Sequence, residues 1–452
     1  MKRLLVAALL LGLFAAPARA QEPAASDTTA PKTHALRALG EITLVNGIVW
    51  TYNRYIRAGG GEGFKIGWKS WNNSLENGFD WDPNNFSTNQ YAHPYHGSLY
   101  FNAARSNGFD YWGSTGFAFI GSFQWEFFGE ARHPSINDWV NTSMGGTALG
   151  EMTHRLATRV RDNTATGSGR FWSEFGGFAI DPVGGFNRLV TGEMFHQHPN
   201  PEERELGRVS VVGTFGSRTT YEGHVPIADT TGWCAQLQFK LGDAFQERFE
   251  RPYDFFSAYV RLNGNDVATL SQVDVAGMLA RKPMEGGGNS RHMLAVFQNY
   301  DYINNRAFEL GGQSITAGLL SRFGTSESRY RVDTVLNLSG IILGATKSDY
   351  SNQTARSYDY GPGLGARLGV AFKRDDWELL RLSHQEFMIH SINGTKANHF
   401  LSLSSVGVSL PLHNNLVLDA EYQLYLANRH YADFPDVAQR SPQLLFGART
   451  RL

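Results

Sequence analysis

Over its second half the chain alternates apolar and polar side chains residue by residue, and nothing else in it restricts the fold as much. In WCAQLQFKL, Trp233, Ala235, Leu237, Phe239 and Leu241 share one face of an extended strand, and Cys234, Gln236, Gln238 and Lys240 share the other. LVLDAEYQLYL sets Leu416, Leu418, Ala420, Tyr422, Leu424 and Leu426 against Val417, Asp419, Glu421, Gln423 and Tyr425. GARLGVAFK sets Ala366, Leu368, Val370 and Phe372 against Arg367, Gly369, Ala371 and Lys373. Each run lasts about ten residues, the length a tilted strand needs to cross the apolar core of a bilayer. Turn-rich breaks at 263–266, 285–289, 304–305 and 413–415 separate the runs. Candidate strands fall near 206–217, 231–241, 253–263, 267–281, 291–302, 306–322, 328–342, 363–374, 376–389, 397–411, 415–428 and 442–452. Their number is even, as a single-chain bacterial outer-membrane barrel requires. The expectation is a mainly β fold, an antiparallel transmembrane β-barrel of about twelve strands over residues 206–452. A soluble β-sandwich, whose strands also alternate, is the alternative.

The N-terminus agrees with a barrel in a Gram-negative outer membrane. Residues 1–20, MKRLLVAALLLGLFAAPARA, read as a cleaved signal peptide: two early cations, a short apolar core, and a small-x-small end before Gln21. Residues 21–40 read as a flexible leader. No later window approaches the roughly 18 apolar residues of a membrane helix. Cys234 is the only cysteine, which excludes an internal disulfide framework and argues against a cysteine-based metal site. The formal net charge is −1, so no basic excess points to nucleic acid. The final QLLFGARTRL, with Leu444, Phe446, Ala448, Thr450 and Leu452 on one face, resembles the terminal strand that the barrel-assembly machinery reads, although that strand usually ends in an aromatic residue. Outer-membrane lipid and that machinery are therefore the expected partners, while any small-molecule ligand is unspecified.

Residues 41–165 have a different period and read as an α-helical module, joined to the barrel by a connecting segment over 166–205. In PSINDWVNTSMGGTALGEMTHRLATRVRD, Ile136, Val140, Met144, Ala148 and Met152 recur every four residues behind Ser135, with Asp138 three residues on as an approximate capping box. Gly145, Gly146 and Gly150 let another backbone approach that helix. Further helices are expected near 97–109 and 115–129. A wide barrel with a polar inner face needs water or a plug, and this module, packing in or under the lumen, is expected to supply one.

HPYHGSLYFNAARSNGFDYW, taken with GSFQWEFFGE, PSINDWVNTSMGGTALGE and the upstream SWNNSLENGFDWDPNNFSTNQ, resembles a bacterial envelope family known as domain of unknown function 3943, over about residues 65–160. The resemblance implies an envelope protein with a helical module ahead of strands, and it implies no reaction.

The same stretches hold the candidate site. His93 and His96 are three apart, Glu126 and Glu130 four apart, Asp138 and Asn141 three apart, and Glu151 and His154 three apart; on a helix each spacing puts both members on one face. Converging imidazoles and carboxylates in a helical bundle suit a divalent metal such as Zn, Mn or Fe, with His93, His96, Glu126 and Glu130 as candidate ligands. Alternatively His93, His96, Glu126 and Asp138 act as general acid and base in a lipid- or polysaccharide-modifying enzyme. The plainer reading is a structural or ligand-binding polar network of Arg105, Glu130, Asn141 and Glu151 with Glu126 and Asp138, gluing helices to the barrel of a structural, ligand-holding or solute-passing protein. Whether the protein is an enzyme stays open at this point. The oxygen-rich run Asp80-Trp81-Asp82-Pro83-Asn84-Asn85 lacks EF-hand spacing and reads as a turn. Gly-x-Ser-x-Gly, Walker and His-Glu-x-x-His motifs are absent from the sequence.

Overall fold

The computed structural model describes residues 32–57, 61–205, 207–222, 225–246, 248–284, 286–325, 328–350, 356–375, 377–413 and 415–451. The expected signal peptide, the leader up to residue 31, and Leu452 lie outside the described residues.

The strands are β1 (Val209–Glu222), β2 (Val225–Leu241), β3 (Phe256–Asn263), β4 (Leu270–Met284), β5 (Ser290–Asn304), β6 (Glu309–Phe323), β7 (Tyr330–Lys347), β8 (Tyr358–Arg374), β9 (Trp377–His390), β10 (Ala397–His413), β11 (Leu416–Tyr431) and β12 (Val437–Arg451). Every neighbouring pair is antiparallel, and β1 closes on β12, with Phe215 opposite Ala448, into one barrel of 12 strands. Closure leaves no unpaired sheet edge, the condition for strands to lie in hydrocarbon. Each expected strand coincides with an observed one.

The alternation sorts as the sequence implies. Inside, charged side chains meet across the ring: Lys240 of β2 with Glu378 of β9 at 3.3 Å, Arg367 of β8 with Asp301 of β5 at 3.5 Å, and Arg381 of β9 with Asp419 of β11 at 2.9 Å. At the end of the lumen beside the β5–β6 turn, Ala307 and Phe308 join Leu310, Phe387, Leu401 and Tyr425 in an apolar cluster. Outside, Leu294, Val296, Leu336, Leu338, Leu364, Leu368, Val370, Val406, Val408 and Phe446 are exposed, as on a wall that faces acyl chains. This is an outer-membrane β-barrel.

Ahead of the barrel come α1 (Ala35–Thr51), α2 (Trp68–Asn77), α3 (His93–Ser106), α4 (Tyr111–Gln124), α5 (Ile136–Val140), α6 (Gly146–Val160), α7 (Gly167–Ile180), α8 (Pro182–Thr191) and the single turn α9 (Glu202–Glu205). π-helical turns at Thr88–Ala92, Trp125–Gly129 and Asn141–Gly145 precede α3, extend α4 and join α5 to α6. Helix thus begins at Ala35, inside the stretch read as leader, and α7 and α8 occupy the stretch read as connector.

The placement of the module corrects the expectation of a plug in or under the lumen. Its contacts fall on Tyr300 and Tyr302 of β5 and Tyr358 and Tyr360 of β8, in one apolar cluster with Phe86, Phe101, Tyr111 and Leu149 of the module and Val273 and Val275 of β4. On β5, Tyr300 and Tyr302 have the parity of the exposed Leu294 and Val296, whereas Asn299 and Asp301 line the lumen. On β8, Tyr358 and Tyr360 have the parity of Leu364 and Leu368, opposite to Asp359, which turns inward to His399. The helices therefore pack against the outer wall of the barrel. The barrel's own ion pairs cross the lumen and its apolar cluster narrows one end, and between the strands a cavity of about 1240 Å³ remains, lined by Lys240, Arg322, Asp333, Lys373, Glu378 and Arg449.

Candidate cation centre

The centre forms where α3 and α6 cross. A Cβ on Gly97 would overlap the carbonyl of Thr142, and one on Gly146 would overlap the backbone of Gly97. Glycine at both positions lets the two backbones touch. His93 lies one turn before Gly97, so the crossing carries its ring to Thr142, with Nδ1 3.1 Å from Thr142 Oγ1. That contact leaves Nε2 directed toward Asp138, 3.9 Å from Oδ2.

Three of the four π-helical turns among the described residues bear on the same point: His93 directly follows one, Glu126 lies within the second, and Asp138 is three residues ahead of the third, while the fourth, Tyr52–Ile56, follows α1. Such one-residue insertions shift a helix face and often occur at functional sites. Glu126 Oε2 accepts the backbone N–H of Ser135 at 2.8 Å, while Oε1 has no hydrogen-bond partner among the described residues. Asp138 Oδ1 accepts from Asn137 Nδ2 at 2.8 Å. One ligand atom from each of His93, Glu126 and Asp138 lies within 4.8 Å of the others, and all three residues are buried. Small side-chain movements would bring these atoms to the 2.0–2.6 Å or so at which imidazole and carboxylate bind divalent cations.

The electrostatics call for a proton or a cation among the carboxylates. Burial, reinforced by Asp138 and Glu130, holds the Glu126 carboxyl well above the usual carboxylate range. Burial, with Asp82 adding to it, does the same to Asp138. Burial lifts Glu130 to about 7, His93 opposing the shift and Asp138 and Asp82 adding to it. Burial pushes His93 down, against the pull of Glu130 and Asp82. Carboxylates this close, removed from water, need a proton or a cation among them.

The remaining predicted residues separate into other groups. His96 faces away from the triad; its Nε2 is 3.0 Å from Tyr100 Oη, its ring packs edge-on to Trp125, and burial lowers it to about 3. Glu130 accepts from Trp125 Nε1 at 2.9 Å. Asn141 donates to the Asn89 carbonyl at 3.2 Å and to Tyr360 Oη at 3.2 Å. Arg105 and Glu151 belong to a second network: Glu151 takes Arg105 Nε at 2.8 Å and Arg155 Nε at 2.7 Å, and Arg155 reaches Asp254 of the β2–β3 connection at 3.3 Å.

Sequence spacing did not single out Thr142, Asp82 or the barrel tyrosines. The hydroxyl of Tyr360 receives hydrogen bonds from Gln90 at 2.8 Å, Asn141 at 3.2 Å and Asn137 at 3.4 Å. Tyr300 Oη donates to the Gln90 carbonyl at 2.6 Å, and Gln298 Nε2 donates to the Met144 carbonyl at 3.0 Å. A signal for them existed in β5, where the outward positions change from Leu294 and Val296 to Gln298, Tyr300, Tyr302 and Asn304. Polar tips on an otherwise lipid-facing row mark a wall covered by protein.

Residues 78–183, which hold the whole triad, match the family described as Domain of unknown function (DUF3943), in agreement with the resemblance read over about residues 65–160. No curated protein matches the chain. Among solved structures the barrel is similar to the NanC porin (8% identity, TM-score 0.29, 53% of this chain and 98% of that one). It is also similar to the KdgM porin (9% identity, TM-score 0.24, 53% and 98%) and to outer membrane phospholipase A from Escherichia coli (8% identity, TM-score 0.27, 53% and 89%).

Proposed function

We propose that this DUF3943-containing outer-membrane protein is a ligand-holding envelope component whose ligand is a divalent cation, bound in the helical module by His93, Glu126 and Asp138. The observation that carries the reading is that buried His93, Glu126 and Asp138 each bring one ligand atom within 4.8 Å of the others, while Glu126 Oε1 has no hydrogen-bond partner among the described residues. One imidazole and two carboxylates suit Zn, Mn or Fe better than the all-oxygen shell that Ca prefers. The barrel anchors the module in the membrane. Its crossed ion pairs and the Phe308 cluster favour this reading over solute passage.

A second reading is an acid/base centre for lipid or polysaccharide chemistry, favoured by the closeness of His93 and Asp138. Exposures of 8% for His93 and 2% for Glu126 and Asp138 weigh against it, because a reacting bond has to reach the groups that act on it.

Elemental analysis of the detergent-purified, folded protein tests the proposal. One divalent metal per chain is expected in the wild type, with loss in His93→Ala and in Glu126→Gln and retention in His96→Ala. Metal-free wild-type protein that does not take up Zn, Mn or Fe on titration would overturn it.

A further inference from the structure

The surface of the helical module has its polarity reversed. In the hairpin of α7 and α8, the outer side carries Phe171, Trp172, Phe175, Leu189 and Val190, with Trp172 64% and Val190 65% exposed. The inner side carries Glu174 at 6%, Asn187 at 3% and Asp181 at 0%. Those inner groups are paired: Arg188 grips Glu174 through Nη2 at 2.7 Å and Nε at 3.1 Å, Arg170 adds a contact to Glu174 at 3.0 Å, and Arg161 lies 3.7 Å from Asp181. Asn187 donates to Glu41 of α1 at 2.7 Å. The first helix buries Glu41 and Asn46 beside Ala38 and Ile42 and exposes Leu36, Leu44 and Ile48. On α4, Trp112, Ile120 and Phe123 are exposed, whereas Ser114, Thr115 and Ser122 are buried.

A helical bundle in water buries its apolar stripe and shows its charged side. Here charged and amide side chains pair with one another inside, beside an apolar core, and aromatic and aliphatic ones cover the outside over several helices, far more than the scattered apolar residues of an ordinary surface. The barrel wall beside the module shows the same apolar character, through Leu294, Val296, Leu336 and Leu338. The two surfaces adjoin on β5: Leu294 and Val296 are open, and Tyr300 and Tyr302, on the same face of the strand, are covered by the module.

We propose that the helical module is immersed beside the barrel in the acyl-chain layer of the outer membrane, with lipid covering the outer faces of α1, α4, α7 and α8. Among the described residues no helix is long and apolar enough to cross a membrane. The module therefore occupies part of the bilayer's depth, held by the tyrosine row of the wall, and its helices satisfy their own backbones there. This inference is independent of the cation reading.

Site-directed spin labelling tests it. In a full-length Cys234→Ser background, single cysteines are introduced at Phe175→Cys, Val190→Cys and Ile48→Cys. The lipid-facing wall position Leu368→Cys and the exposed loop position Asp433→Cys serve as references. Each variant is checked for heat-modifiable migration, labelled, and placed in nanodiscs of phosphatidylethanolamine and phosphatidylglycerol. Relaxation by oxygen, which concentrates in acyl chains, is then compared with relaxation by a water-soluble nickel chelate. The three module positions are expected to shift toward oxygen as Leu368→Cys does. Chelate-dominated relaxation like that of Asp433→Cys would overturn immersion. Labels shielded from both reagents would also overturn it, and would assign the surface to protein, a second copy of the chain included. Three separate positions keep the test decisive if one substitution prevents folding.

Discussion

At the scale of single residues, two side chains can be tested by small changes. Tyr360 gives one hydroxyl to three buried amides, from Gln90, Asn137 and Asn141. Tyr360→Phe leaves Gln90 Nε2 without its acceptor, at a cost of about 1–3 kcal/mol, whereas Asn137 keeps Asp138 and Asn141 keeps the Asn89 carbonyl. Helical circular dichroism should therefore melt at lower temperature in the variant while the barrel keeps its heat-modifiable migration; an unchanged melting curve would remove Tyr360 from the docking contact. Glu130 gives a pH signature. Its carboxyl is raised to about 7 in the folded protein, so the folded state holds that proton after the unfolded chain has released it. The stability this supplies is complete below the ordinary glutamate range and is lost as pH rises through about 7. In metal-free protein, wild type should thus become less stable relative to Glu130→Gln as pH climbs from about 4.5 to above 7. Parallel pH profiles for the two proteins would count against the shift. His93 is pushed in the direction that opposes this slope, and because Glu130 and His93 act on each other, the difference between the two proteins reads the coupled pair.

At the scale of elements, the crossing of α3 and α6 holds the centre together. Gly97→Ala puts a methyl group against the Thr142 carbonyl, a clash with backbone that no rotamer relieves. Overpacking of this kind costs about 1–3 kcal/mol, and here it also moves His93 away from Asp138. Gly97→Ala should lower both the melting temperature and the metal content. Gly116→Ala, on α4 with open space around its Cβ, should keep both. On an exposed helix face that second change is expected to stabilise by up to about 1 kcal/mol. Loss of metal in both variants would mean that the glycine crossing is not what shapes the site. The long helix read from the fourfold run of Ile136 to Met152 is present, but the π-helical turn Asn141–Gly145 interrupts it. Helical periodicity in a sequence is too coarse to reveal one inserted residue, and that residue decides which way Asp138 and Thr142 face.

At the scale of the whole molecule, side chains of the barrel wall cross and narrow its lumen, leaving a cavity of about 1240 Å³. Arg261 spans the lumen to Gln423 at 3.0 Å, Lys240 reaches Glu378, and Phe308 packs on Tyr425 with ring centroids 5.0 Å apart. Wild-type protein in planar bilayers should show little or no steady conductance, and Phe308→Ala with Arg261→Ala should raise it. Large stable channels in the wild type would return solute passage to first place. The barrel was legible in the sequence because a strand between lipid and a polar lumen has to alternate, and that requirement is local to each strand. Helix content over residues 97–129 and 136–160 was legible for the same reason, as was the set of imidazoles and carboxylates from which the centre is drawn. Tertiary structure decided which members of that set meet. His93, Glu126 and Asp138 converge through a glycine contact between helices and through π-helical turns, neither of which has a period to read, while His96 turns to Tyr100 and Glu151 to its arginines. It also decided on which side of the wall the module lies. Parity tells two faces of a strand apart, but a tyrosine row becomes an interface only when another element covers it, and pairing across such distances is not written in any local stretch of chain.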